Sequence, residues 1–256
     1  DVDGFDGHEI LASENFDLNE SPEEVFDPTR IRPFYVSNVA DYKLVGSFDY
    51  EGRFEGYFQI QRGDNEKQQF SVEPPLLNKE EDNCGPFSID LNIYDRESES
   101  IEELFNRMGI SFEKIGIRRA RKILTDNSGI SISRNGFRIR PYGDPETDWL
   151  ELERHRVQNP SKKLGQGQVS GVVNIAEREN SGLVERSSRE GLEHNGPFFR
   201  LKTLISNVIR HAEERRFEFR EKAGLGRKAT TNVDKAKEAA KFSSTESALE
   251  GVPEEI

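Results

Sequence analysis

Cysteine, methionine, tryptophan and histidine are all scarce in this chain of 256 residues. Cys84 is the lone cysteine, which excludes an intramolecular disulfide and a cysteine-based zinc site. His8, His155, His194 and His211 show no ligand spacing such as H-x-x-x-H, so each reads as a surface or capping residue and no metal site is expected. No apolar run approaches the ~20 residues of a membrane span, and no signal peptide opens the chain. Both points lead to the expectation of a cytoplasmic protein. An initiator methionine is also missing, Met108 being the only one, so the chain is expected to be an excised part of a longer protein.

The familiar catalytic signatures are missing too. There is no G-x-S-x-G, no H-E-x-x-H and no spaced Cys/His set. Gly165-Gln166-Gly167 lacks the Lys-Ser/Thr ending of a phosphate loop and precedes a strand, where nucleotide fingerprints need a following helix. The acids of DVDGFDG, Asp1, Asp3 and Asp6, depart from the order of an EF-hand loop and no bidentate Glu closes it. Asp144, Glu146 and Asp148 read as capping or solvating a loop. The chain holds no complete enzyme site.

Charge is abundant: 33% of the residues are charged, as many as are apolar, and the net charge is -12. So low an apolar share predicts exposed or flexible portions around a smaller core. The acids are concentrated at the start, where residues 1–30 carry ten carboxylates against Arg30 alone. Arg118, Arg119, Arg121 and Lys122 form a basic run in the opposite sense. It reads as a solvated helix face, because no aromatic residues interleave it as a nucleic-acid surface would require.

The stretch GISISRNGFRIRPYG, Gly129–Gly143, organises the rest. Asn135-Gly136 is the dipeptide a two-residue type I′ turn prefers, since both central residues need positive φ. Such a turn sets Arg134 opposite Phe137, Ile132 opposite Ile139 and Ile130 opposite Pro141. Ile130, Ile132, Phe137 and Ile139 then share the buried face, while Ser131, Ser133, Arg138 and Arg140 take the other. Three further strands are expected at Tyr42–Tyr50, Arg53–Gln61 and Phe87–Tyr94, and another at Gln166–Ala176. Residues 63–83, with Pro74-Pro75, read as a long connection.

Helices are expected at Ser100–Met108, with Ser100 and Glu103 as a capping box, and at Phe112–Leu124. A short one is expected near Trp149–Arg156 and a long one at Pro197–Glu221, where Phe198, Leu201, Ile205, Val208 and Ala212 keep helical spacing. The order of elements is that of an α+β fold, one layer of sheet covered by helices. The expected organisation is an acidic linker at 1–40, one domain at 41–222 and a disordered tail at 223–256, with a short helix at Asp234–Ala240 inside the tail.

Among side chains that could meet a phosphate, Arg189 in VERSSREGL stands out by type. It lies in a loop flanked by hydroxyls just before a helix, where a guanidinium could bind a phosphate bidentately. By chemistry alone, pairing with Glu190 or Glu193 is the better account of it.

From about Tyr42 to Ile209 the chain resembles the transducer domain of bacterial GHKL-type (histidine-kinase-like) ATPases. These are related to the MORC proteins, the gyrase B subunit and the ninety-kilodalton heat-shock chaperones. The resemblance rests on GISISRNGFRIRPYG, DWLELERHRVQNP at Asp148–Pro160, GQVSGVVNI at Gly167–Ile175 and SSREGLEHNGPF at Ser187–Phe198, in that order. It implies a ribosomal-protein-S-five-like fold. It also implies a coupling role, in which a separate upstream Bergerat-fold domain binds ATP and Mg2+ and this domain supplies one basic residue to the γ-phosphate. Arg189 inherits that catalytic role, and Ser187, Ser188 and Arg189 the contact with the nucleotide. Where relatives carry Asn before the arginine, this chain has Ser188.

The Bergerat motifs are absent from this sequence, so neither tight ATP binding nor hydrolysis is expected of it alone. The implied partners are the upstream ATP-binding domain and a second copy in a homodimer. A stand-alone nucleic-acid or protein interaction module is the alternative, with Arg118, Lys122, Arg138 and Arg140 as its basic face, and a scaffold that oligomerises through the C-terminal helix is a third reading.

Overall fold

Alternation of apolar and polar residues decides the architecture. In the computed structural model, which describes residues 39–188 and 190–225 together with the paired strands β1 (Ile10–Leu11) and β2 (Arg30–Ile31), seven further strands form one mixed sheet. They are β3 (Tyr42–Phe48), β4 (Phe54–Ile60), β5 (Lys67–Val72), β6 (Phe87–Ile93), β7 (Gly129–Arg134), β8 (Phe137–Ile139) and β9 (Val169–Ile175), in the order β5-β4-β3-β6-β9-β7-β8. All neighbours are antiparallel except β7 and β9, which run parallel. Four helices are described: α1 (Ser98–Arg107), α2 (Phe112–Asp126), α3 (Leu152–Gln158) and α4 (Gly196–Lys222). The fold is α+β, as the sequence order implies. The expected short helix at Asp234–Ala240, the tail beyond Leu225 and most of the acidic segment lie outside the described residues.

The described chain falls into two compact units, residues 1–216 and 217–256. In the first, strand register puts Tyr42, Leu44 and Phe48 in line with Phe54 and Phe58 on one side and with Phe87, Leu91 and Ile93 on the other. Val173, Ile132 and Ile139 continue the same face, and all these side chains are buried. Aromatic contacts knit it, the Phe48 and Phe87 rings stacking at 4.2 Å. Gly46 gives Phe54 its space: an added Cβ there would meet the Phe54 ring at 2.5 Å. Within α4, Phe198, Leu201, Leu204, Ile205, Val208, Ile209 and Ala212 form the buried stripe that the helical spacing predicts.

A second cluster joins Ala40 and Tyr94 to Ile101, Leu104 and Phe105 of α1 and to Ile115, Ala120 and Leu124 of α2. The Tyr94 hydroxyl lies 3.3 Å from that of Ser170, whose neighbour Val169 belongs to the apolar face. Gly116, at φ 72°, kinks α2.

Three local expectations change. Residues 63–83 hold an edge strand, β5, rather than a connection alone. Helix α1 begins at Ser98 with Glu97 as N-cap and no side-chain cap bond. The capping box is not formed because Arg62 takes both of its members: Nη1 donates to Ser100 Oγ at 2.8 Å and Nη2 to Glu103 Oε2 at 2.8 Å. In the β7–β8 hairpin the turn and register are as expected, Asn135 and Gly136 both having positive φ. Phe137, however, is 80% exposed, because it sits at the tip of a three-residue edge strand.

The second unit contains the last turns of α4. Its end is a Schellman arrangement: Gly224 adopts φ +67°, Leu225 N donates to Arg220 O and Gly224 N to Glu221 O.

Candidate functional site

The loop from Ala176 to Asn195 is short of repetitive structure but rich in anchors. Asn180 closes its beginning, donating Nδ2 to Cys84 O at 2.6 Å and Pro86 O at 3.1 Å while its Oδ1 accepts from Ala176 N at 2.7 Å. Asn195 closes its end as the N-cap of α4, Oδ1 accepting from Phe198 N at 3.1 Å. Its Nδ2 donates back to Gly182 O at 2.9 Å.

Between these anchors the chain folds into a narrow finger. Glu185 bridges Leu192, Glu193 N donates to Val184 O at 2.8 Å and Arg186 N donates to Gly191 O at 3.0 Å. Ser187, Ser188 and Glu190 belong to the tip, and all three are exposed. Arg189, the residue expected to meet a phosphate, lies outside the described residues.

The base of the finger is fixed by the hairpin. Arg134 of β7 donates Nη1 to Glu185 Oε1 at 2.9 Å and Nη2 to Leu183 O. Tyr142, just after the hairpin, accepts the Leu192 N–H at 2.9 Å on its hydroxyl. Gly191 can lie flat on the Tyr142 ring because it has no side chain; at φ +85°, an added Cβ would stand 3.1 Å from the Tyr142 hydroxyl.

Aromatic rings continue the support. Trp149 meets Tyr142 edge-on at 5.3 Å and donates Nε1 to Ile130 O at 2.7 Å. Phe198 lies 6.1 Å from both rings, and His194 stacks on Phe198 at 4.8 Å. Strand β9, which carries GQVSGVVNI, pairs with β7 beside them. Four segments scattered over 70 residues of sequence thus meet at one place.

Cations act on the titratable groups of that place. Burial raises the Tyr142 phenol pKa, with the Leu192 hydrogen bond and the Arg186 charge opposing. Burial also lowers the pKa of His194, and the charges of Arg186 and Lys202 lower it further. Lys202 is paired with Glu151 at 3.3 Å, whereas Arg186 has no ion-pair partner among the described residues. The arrangement offers an anion two exposed hydroxyls, Ser187 and Ser188, and the Arg186 guanidinium, which has no ion pair among the described residues. Among the described residues these groups can bind and orient an anionic group. Arg186 is the member that sequence reasoning passes over, although its place three residues before Arg189 in VERSSREGL was visible.

Away from the finger, a buried ionic cluster has no counterpart in the sequence reading. Asp95 accepts from Tyr42 Oη at 3.1 Å, from Arg62 Nη1 at 3.0 Å and from Arg216 Nε at 2.9 Å. Its own N–H donates to Asp41 Oδ2 at 2.8 Å, and Asp41 Oδ1 accepts from Arg107 at 2.6 Å. Both carboxylates are wholly buried. No group of three or more His, Cys, Asp or Glu side chains among the described residues could hold a metal ion, and no described helix is long and apolar enough to cross a membrane.

Scans of the chain against family models, against curated proteins and against solved structures find no match.

Proposed function

We propose that this chain is the coupling half of a GHKL-type ATPase, a transducer domain of ribosomal-protein-S-five-like fold. In this reading an ATP-binding domain upstream of Asp1 holds the nucleotide, and the finger at Ser187–Glu190 is brought to its γ-phosphate. Bound Mg2+ and ATP would supply the metal-polarised phosphoryl group. The chain's own part is to place the Arg189 cation where negative charge develops, with Ser187 and Ser188 as hydrogen-bond donors beside it.

One observation carries the reading. The four segments on which the family resemblance rests converge on the finger, with Tyr142, Trp149 and Phe198 packed at its base. A loop anchored at both ends and at its base suits a role in phosphate positioning. The unpaired Arg186 fits the same role, since its field favours an anion. Helix α4 starts at the end of the loop, capped by Asn195, and gives the nucleotide state a route into the rest of the chain. Dimerisation around bound ATP belongs to the same reading.

The test is steady-state ATP hydrolysis by the full-length gene product and by its Arg189→Ala variant. The expected loss in kcat is about 10³-fold or more, the scale of a lost arginine finger. Unchanged turnover in that variant, or robust turnover by the 256-residue chain alone, would overturn the proposal.

A further inference from the structure

Many of the described cations are paired where they stand. Arg134 pairs with Glu185, Arg138 with Asp144 at 2.6 Å and Arg200 with Glu81 at 3.2 Å. One region differs. Arg96, Arg118, Arg119, Arg121 and Lys122 have no carboxylate at ion-pair distance among the described residues. Beyond the Gly116 kink, Arg118, Arg121, Lys122 and Thr125 fall on one face of α2, opposite the buried Ala120 and Leu124.

Arg96, in the loop between β6 and α1, extends that face. Its guanidinium donates to Gly167 O at 3.0 Å, to Arg121 O at 3.2 Å and to Thr125 Oγ1 at 2.7 Å. Arg156 of α3 borders the same place, its Cδ being 2.6 Å from where a Cβ on Gly165 would stand. Like charges therefore gather from three segments of the chain, Arg156 being also paired with Glu153 at 3.3 Å. They perturb one another: burial lowers the pKa of Arg96, and the charges of Arg121 and Arg156 lower it further. Such crowding is unfavourable in the isolated domain and is relieved by a bound polyanion.

We infer that the face formed by Arg96 and the α2 residues Arg118, Arg121 and Lys122 is a docking surface for the phosphate backbone of duplex nucleic acid. Four cations over two turns of helix span about 10 Å, the axial reach of about three successive phosphates on one strand. Among the described residues the exposed large apolar side chains, Phe137 and Leu76 among them, lie on other elements. Without an aromatic platform for unstacked bases the surface suits a duplex read by its backbone, with no base preference. Asp126, one turn beyond Lys122, borders the face, while acids more than about 10 Å away are largely screened at ~0.1 M salt. This inference does not depend on the ATPase reading.

The experiment is fluorescence anisotropy of a labelled random-sequence duplex of roughly 20 base pairs, titrated with the 256-residue chain over a salt series. Binding should weaken about 100-fold between roughly 50 and 200 mM monovalent salt, the slope expected for about four phosphate contacts. The exposed pair Arg118→Gln and Lys122→Gln should lower that slope by about 2 without changing the circular dichroism spectrum. Lys79→Gln, in an exposed loop elsewhere, should leave affinity and slope as they are. No binding at the lowest salt, a slope near zero, or a loss that follows Lys79 rather than Arg118 and Lys122 would each overturn the assignment.

Discussion

Asp95 and Arg216 are 121 positions apart, yet Arg216 Nε donates to Asp95 Oδ1 at 2.9 Å with both side chains almost fully buried. The pair joins the loop after β6 to the long helix α4. Two charges removed from water gain little over well-packed apolar side chains, but breaking such a pair leaves one charge uncompensated. Asp95→Asn should therefore lower the unfolding free energy in urea by about 3–5 kcal/mol. In that background Arg216→Met should cost at least about 1 kcal/mol less than it does in the native chain, because the partner is already gone. Additivity within ~0.5 kcal/mol would show the two residues to be energetically independent.

Asp41 offers a pH reading of the same cluster. Burial, with the nearby Asp95 charge, pushes its carboxyl up to about 6 from an ordinary 3.8, against the opposing Asp95 N–H, Arg62 and Arg107. Between those two values the folded protein holds a proton on Asp41 that the unfolded chain has released. The contribution of this group to stability is therefore greatest below the unfolded value and falls as pH rises through about 6. Over that window the change is of order 2–3 kcal/mol. Carbon-detected NMR of aspartate-labelled protein should show one carboxyl titrating near 6. If Asp41 instead titrates below 4, its ion pairs outweigh burial and the pH dependence reverses.

Much of this architecture is legible in the sequence where a local pattern carries it. Phe87, Ile89, Leu91 and Ile93 alternate cleanly, and β6 is where they place it. Asn135-Gly136 fixes the hairpin register to the residue. Strand β5 escapes because KQQFSV buries only Phe70 and Val72 and, as an edge strand, leaves its other residues exposed. The capping box fails for a different reason: Arg62, nearly 40 positions away, makes a better partner for Ser100 and Glu103 than the helix end does. Phe137 has the right parity for the core but lies beyond its edge. For the Asp95–Arg216 pair there is no local signal at all, since its spacing follows neither a helical nor a strand period. At the finger, Ser187 and Ser188 are readable as exposed loop residues, while the part played by Tyr142 needs the folded chain.

Tyr142 supports the finger through one atom and one face. The Leu192 backbone N–H, in a residue with no exposed surface, finds its acceptor in the Tyr142 hydroxyl. Tyr142→Phe keeps the ring against Gly191, Trp149 and Phe198 but leaves that N–H unpaired and buried. Such a group costs about 1–3 kcal/mol, so the variant should be less stable by that amount. The loss should be local as well as global. Amide hydrogen exchange at Leu192, and at Glu193 whose N–H is bonded to Val184 O, should accelerate more than exchange along β9. Under the proposed ATPase function, the same variant of the full-length protein should lower ATP turnover by less than Arg189→Ala, because it changes the stem of the finger and not the proposed phosphate ligand. Equal acceleration at β9 and in the finger would mean that Tyr142 stabilises the sheet as a whole, and the finger would then owe its shape to Arg134 and Asn195.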